Sequence, residues 1–455
     1  MKKIFCSVVV FAITSLSVQA ITIEEALIAA FLNNKEWAAN KTDKNAAEAR
    51  YKQAVLAFLP NVSGTVSATR ERDDRHRKVL KLDAGKTNTE TTGTNMSLTV
   101  SQNIFSGFST TNTMAAAEHS NNAAFHKLRS EEQTLVLNVV NAYTEIWFCR
   151  KRLDALKKMV ENLKNTMQAQ QSSFEAGMAT PTDVAEAESK YQGAIYSMIN
   201  SETELMTAEA DFERLTRKQA DDDMSLPDFP FELPKSLKKL MEKAMTSNSS
   251  INMTKLQEQA ALKNLSAVRG RLSPSCDASL TASRSLSKER TSYEEDTGRN
   301  HYSASVSVTV PIFSNSNGSN TYSQIEIANQ EALKARFTAE DTVLKVKREC
   351  VVNWNKYKSA IAMIKASRSA VKSAELSSEG NIEETALGMK SNTDVWAKEN
   401  NLLESRVNLA KSQKERIVAA VTLLFLTGDL SVNSILSNMN IQKKKYNKQK
   451  QQIKG

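Results

Sequence analysis

The chain has 455 residues, 40% of them hydrophobic and 24% charged, with only 13 Gly and 7 Pro, so it can fold and is long enough for two or three average domains. The formal net charge is +9, but eight positive charges lie at the ends: Lys2 and Lys3, then Lys443, Lys444, Lys445, Lys448, Lys450 and Lys454. The body is left near +1, which disfavours nucleic-acid binding, since that needs a clustered basic face.

Residues 1–20 read as a secretory signal: Lys2 and Lys3, an apolar run from Ile4 to Ile13, then Val18-Gln19-Ala20 as a small-residue cleavage site. No other apolar run approaches the length of a membrane-spanning helix. Cys6 falls within the signal, leaving Cys149, Cys276 and Cys350, an odd number that cannot pair completely within the chain.

Residues 22–58 read as one helix, opened by Thr22 with Glu24 and Glu25 and closed at Leu59-Pro60. The period then becomes two. Val62, Gly64, Val66 and Ala68 alternate with Ser63, Thr65, Ser67 and Thr69, predicting a strand over about 60–72. A charged loop from Arg70 to Lys86 follows, and alternation resumes over about 94–106, with Leu98, Val100 and Ile104 against Ser97, Thr99 and Ser101. From about Gly107 to Phe174 the period is helical. Ile146, Cys149, Leu153, Leu156, Val160, Leu163 and Met167 form a coiled-coil seam, in a helix of roughly 70 residues, about 105 Å long. After Gly177–Val184, a second seam runs back through Tyr191, Ile195, Met198, Leu205, Phe212 and Leu215.

Residues 226–235 are a Pro-rich linker between a first structural unit, 21–225, and a second, 236–428. The second repeats the plan of the first: a helix from Ser236 to Arg269, strands over about 273–288 and 301–314 around a polar loop from Lys288 to Asn300, and a long helix to about Leu387 with Cys350, Trp354, Tyr357, Ile361 and Ile364 on its seam. A last helix runs to Leu426-Thr427-Gly428, and residues 429–455 are a basic tail that reads as disordered. The clearest echo is Gly177-Met178-Ala179-Thr180-Pro181-Thr182-Asp183-Val184, which returns 211 residues later as Gly388-Met389-Lys390-Ser391-Asn392-Thr393-Asp394-Val395. Each copy joins two helical patterns. The Gly suits a left-handed helix end, and Thr and Asp suit the next helix start.

Each strand pattern has one apolar and one hydroxyl-rich face, and four strands cannot close a barrel. Membrane barrels alternate apolar-out and polar-in, and lipid demands closure. Both conditions are met if several chains each lend four strands to one barrel. Ser97, Thr99, Ser307 and Thr309 are then expected to face the lumen, and Leu98, Val100, Val306 and Val308 the lipid. The helices, too polar for lipid, would form a periplasmic tube with the two Gly-Met tips at its far end.

These features resemble the TolC family of outer-membrane channel proteins over nearly all of the mature length. The likeness rests on Thr22–Asn34 with its echo Ser236–Asn248, Ser101–Gly107, Val310–Phe313, both tips and Leu424–Gly428. It implies a mixed fold of helices and transmembrane strands: a homotrimer whose 12-stranded β-barrel, four strands per protomer, continues into a coiled-coil α-helical barrel. It also implies an outer-membrane location with a long periplasmic extension, and export of drugs or of proteins by type I secretion. The implied partners are a periplasmic adaptor protein and an inner-membrane transporter, ABC-type or proton-driven. The tips would form a periplasmic gate, with Asp394 matching an aperture aspartate, Asp183 its counterpart on the first tip, Lys390 a basic link and Thr393 beside them. Ala397 and Thr385 depart from the family pattern, where a second aspartate and a tyrosine stand.

Other readings fit less well. A periplasmic coiled-coil adaptor would carry one hairpin flanked by Gly-rich β domains, and a structural coiled-coil protein or adhesin one continuous stalk. An enzyme, a bound metal or a cofactor is not expected, because His76, His119, His126 and His301 are scattered and no nucleophile elbow or phosphate loop is present.

Overall fold

The computed structural model describes residues 21–79, 82–221, 224–226, 233–290, 294–312, 315–316, 319–387, 389 and 392–431. The expected signal, most of the linker and nearly all of the basic tail lie outside them. The elements are α1 (Ile23–Asn33), α2 (Lys35–Leu56), β1 (Asn61–Val79), β2 (Leu82–Ser106), α3 (Ser109–Glu175), α4 (Pro181–Thr216), α5 (Leu237–Ser247), α6 (Ser249–Gly270), β3 (Ser275–Arg290), β4 (Glu294–Thr309), the two-residue strands β5 (Asn315–Ser316) and β6 (Ser319–Asn320), α7 (Thr321–Ala386) and α8 (Asn392–Leu426). They fall into two compact units, the first from the described parts of Met1–Ala38, Glu131–Asn248 and Lys347–Gly455, the second from Ala39–Ser130 and Ser249–Val346.

The first unit is helical. Ile146, Cys149, Leu153, Leu156 and Leu163 of α3 are buried as their spacing predicts. Along α7 the seam shifts by one position: Ala360 is buried and Ile361 exposed, the smaller side chain letting the neighbouring helix come closer. Each expected opening helix is broken once, at Asn34 and at Asn248, both in extended conformation. The break has a local cause. Asn34 Oδ1 accepts the Trp37 N–H at 2.9 Å and so caps α2. Its Nδ2 donates to the Leu215 carbonyl at 3.3 Å, as Asn248 Nδ2 does to the Leu426 carbonyl at 3.0 Å. Leu215 and Leu426 are 211 residues apart, so the repeat visible in the sequence is also a repeat of hydrogen bonds.

The second unit holds the sheet, in the order β1-β2-β3-β4 and antiparallel throughout. Its register sorts side chains into rows. Val62, Val100, Leu280 and Ala304 are opposite one another, and the next row is Ser63, Thr99, Thr281 and Ser303. Thr99 and Thr281 hydroxyls lie 3.3 Å apart, and those of Ser279 and Ser305 2.8 Å. The alternation thus yields one apolar and one hydroxyl face, since successive side chains point to opposite sides. Val62, Leu98, Leu280, Val306 and Val308 are exposed on this single chain. β1 and β4 are the sheet edges, each paired on one side.

The strands run further than their alternation predicts. β1 and β2 continue through most of the expected loop Arg70–Lys86, and β3 and β4 through much of Lys288–Asn300. Charge reads as loop in the sequence, but here opposite charges support the ladder: Arg70 pairs with Glu90, and Lys288 lies opposite Asp296. At its other end β4 stops at Thr309, short of 314, because Pro311 has no N–H to donate.

Gly107 and Gly270 hold the sheet-to-helix junction. A Cβ on Gly107 would lie 2.3 Å from the Gly270 carbonyl oxygen, and one on Gly270 2.5 Å from that of Gly107. Gly107 also has φ +59°, so both space and backbone require glycine there.

Candidate functional site

The two tips share a closing hydrogen bond. Met178 N–H donates to the Ser173 carbonyl at 2.9 Å and Met389 N–H to that of Glu384 at 2.9 Å, again 211 residues apart. With Gly177 N–H on the Phe174 carbonyl and φ +73°, the first tip is a Schellman helix end. Thr180 then caps α4. Its hydroxyl accepts the Asp183 N–H at 3.3 Å, while Asp183 Oδ2 accepts the Thr180 N–H at 2.9 Å and its hydroxyl at 2.8 Å. Asp183 is therefore the third residue of a capping box rather than the cap, with Pro181 in the first turn. The Thr180 backbone N–H, and then its hydroxyl, hold the Asp183 carboxyl below the usual carboxylate range.

Asp183 and Asp394 are both exposed, each in the first turn of its helix. Lys390 lies outside the described residues, as does the side chain of Thr393, so the expected link between Asp394 and these two is not part of the described geometry. Val395 is buried, and exposed Met178, Leu387 and Met389 leave both turns with apolar, uncovered ends.

Farther from the turns the two hairpins meet. Met159, Leu163 and Ala194 pack with Tyr191, Trp396 and Leu403. Lys190, paired with Glu186, has its ammonium 5.2 Å from the centre of the Trp396 ring, a cation–π contact from α4 to α8. Buried Glu399 accepts from Asn162 Nδ2 of α3 at 3.0 Å and from the Ser378 hydroxyl of α7, so one carboxylate ties three helices. Sequence reasoning missed Glu399. The signal was there: Val395, Glu399 and Leu402 follow seam spacing, which sets a charged residue in an apolar row.

Cys149 and Cys350 are buried free thiols, each pushed up to about 11 by burial, and so are packing residues rather than nucleophiles. Among the described residues no group of three or more His, Cys, Asp or Glu could hold a metal, and no helix is long and apolar enough to cross a membrane.

A duplicated helical hairpin protein carrying four two-faced strands per chain is the architecture of an export channel. The family model described as "Outer membrane efflux protein" matches residues 27–216 and 240–429, and the chain belongs to that family. It is 26% identical over 437 residues to the outer membrane efflux protein BepC of Brucella suis, covering 95% of this chain and 92% of the relative. It is 21% identical to the outer membrane protein TolC of Escherichia coli, covering 90% and 82% of the two chains. Among solved structures, the CmeC outer membrane channel of Campylobacter jejuni superimposes with a TM-score of 0.74 at 15% identity, over 92% of this chain and 88% of that one. The protein is thus an outer-membrane channel of the efflux and secretion class, and the fold expected from the sequence is the one found.

Proposed function

We propose that three copies of this chain close their sheets into one 12-stranded barrel in the outer membrane, as the exit of an export conduit. The observation that carries this reading is the bare, two-faced sheet. Its apolar side chains Val62, Leu98, Leu280, Val306 and Val308 are exposed among the described residues, and its edges β1 and β4 are each paired on one side. Lipid tolerates such strands only in a closed barrel. The helices support the same assembly. Exposed Tyr196, Ile199 and Met206 on α4 correspond, 211 residues on, to Val407, Ala410 and Ile417 of α8, of which Ala410 and Ile417 are buried. A face that one repeat covers inside the chain and the other leaves open is suited to the next copy.

In this reading the tips form the periplasmic gate. Asp183 and Asp394 come together as threefold sets, Lys390 and Thr393 supply the compensating cation and hydrogen bond, and the like charges repel unless so compensated. A periplasmic adaptor and an inner-membrane transporter deliver the cargo. The names of the relatives support both cargo classes, efflux for BepC and protease secretion for AprF of Pseudomonas aeruginosa.

The test is the purified protein in detergent and in planar bilayers. A trimer by native mass measurement, with conductance raised in the Asp394→Ala, Lys390→Ala double variant and an unchanged melting point, is the expected result. A stable monomer overturns the channel assembly, and unaltered conductance moves the gate elsewhere. Drug sensitivity on gene deletion, against loss of a secreted protein, separates the two cargo classes.

A further inference from the structure

Toward its tip the second hairpin encloses polar atoms along one side of α7. The 211-residue shift sets Ser378 against Met167 and Thr385 against Phe174, with Asn381 against Gln170 between them. Positions three and four apart share one side of a helix, so Ser378, Asn381 and Thr385 form a single row along α7 leading to the Leu387–Met389 turn. The row begins well bonded, at the Ser378 hydroxyl on Glu399. It then loses its partners. Asn381 is 3% exposed, and neither its Nδ2 nor its Oδ1 has a hydrogen bond. The Thr385 Oγ1 is likewise buried and unbonded.

A buried amide or hydroxyl without a partner bears the full cost of leaving water. This burial is reached within one chain, so no second copy can reach these atoms while the helices stay packed. Water can satisfy them, since it needs only a small polar space. That space opens when α7 lifts from its neighbours.

We propose that the Asn381–Thr385 row is a hydration switch. Closed to solvent in the packed conformation, it biases the last turns of α7 toward a lifted, wetted one, and the tie from Glu399 to Ser378 and Asn162 is where the lifting stops. Both states differ in local packing only, and water entry favours the lifted one. The consequence for cargo rests on the tips being the gate; the local opening does not.

The experiment is amide hydrogen exchange on the full trimer in detergent, read over residues 378–387, with the α3 seam at 153–163 as internal reference. Thr385→Val removes the hydroxyl at nearly constant volume, and Asn381→Leu removes the amide. Each is expected to slow exchange in the last turns of α7 by about tenfold, the scale set by one unsatisfied buried polar group. Glu399→Gln is expected to speed exchange upstream, over 371–378. Unchanged or faster exchange over 378–387 in Thr385→Val overturns the switch, and this variant decides alone if Asn381→Leu does not fold. Conductance separates the two readings: slowed exchange with unaltered conductance keeps the switch and rejects the gate, while unaltered exchange with a responsive tip double variant does the reverse.

Discussion

Met206 on α4 is 67% exposed, and Ile417, its counterpart 211 residues later on α8, is fully buried. Glu188 and Glu399 are another such pair: Glu188 is exposed, while Glu399 is enclosed and bonded to two other helices. The backbone devices, by contrast, are the same in both repeats, from the asparagine that breaks the opening helix to the turn that closes the tip. Duplication has therefore kept the local hydrogen bonds and changed the surroundings. A ring built from such chains alternates junctions made inside one chain with junctions made between copies, and the same helix face serves both.

The sharpest way to break this comparison is to charge the matched positions. Ile417→Glu places an unpaired carboxylate in a closed core and is expected to cost about 4 kcal/mol or more, abolishing a cooperative melt. Met206→Glu sits on the open face and should leave helical content intact while shifting the native mass from trimer to monomer. Equal unfolding by both would mean that the faces are not counterparts.

The sheet offers the next largest effect. Val100→Arg is expected to cost roughly 2–4 kcal/mol if it faces lipid near the midplane, and Thr99→Arg, on the hydroxyl face, much less. Denaturant unfolding in lipid vesicles reads the difference, and equal losses would contradict the facing.

The asparagines sharpen the likeness between repeats. Asn34→Ala and Asn248→Ala each leave a buried leucine carbonyl without its donor, and about 1–3 kcal/mol is expected from either. Similar shifts in melting midpoint are the expected outcome, since the bond is the same in both.

The smallest effect lies at the first tip. Thr180→Ala removes an N-cap and is expected to destabilise the start of α4 by about 1 kcal/mol, seen as faster amide exchange over 181–186. Asp183 adds a pH dependence. Its carboxyl titrates below the ordinary value of 3.8, so its contribution is complete above that pH and is lost as pH falls through the lowered value. Exchange at the tip, corrected for the intrinsic rate, should be flat from pH 7 to about 4 and rise only below. Asp183→Asn should flatten that rise.

Most of the fold was legible in the residues because it follows from period. The shift from 3.6 to 2 located helices and strands, and the 211-residue echo gave the duplication. Strand ends were less legible, because Arg70, Glu90, Lys288 and Asp296 look like loop residues until a partner strand stands opposite. Helix breaks were hidden for a similar reason: Asn34 and Asn248 break a helix only when a carbonyl 181 or 178 residues away accepts their amide. At the tips, the glycine helix end and a helix start rich in Thr and Asp were readable from local backbone chemistry, while which of them caps α4 was not.

By itself, then, the sequence determined the repeat, the two-faced strands, the seams and the tip turns, all of which depend on neighbours a few residues away. Only the tertiary structure decided that Glu399 joins three helices, and that Asn381 is buried with nothing to bond. Burial and partner distance depend on which helices meet. Identical residue types in the two repeats meet different neighbours, so no periodicity could assign their environments.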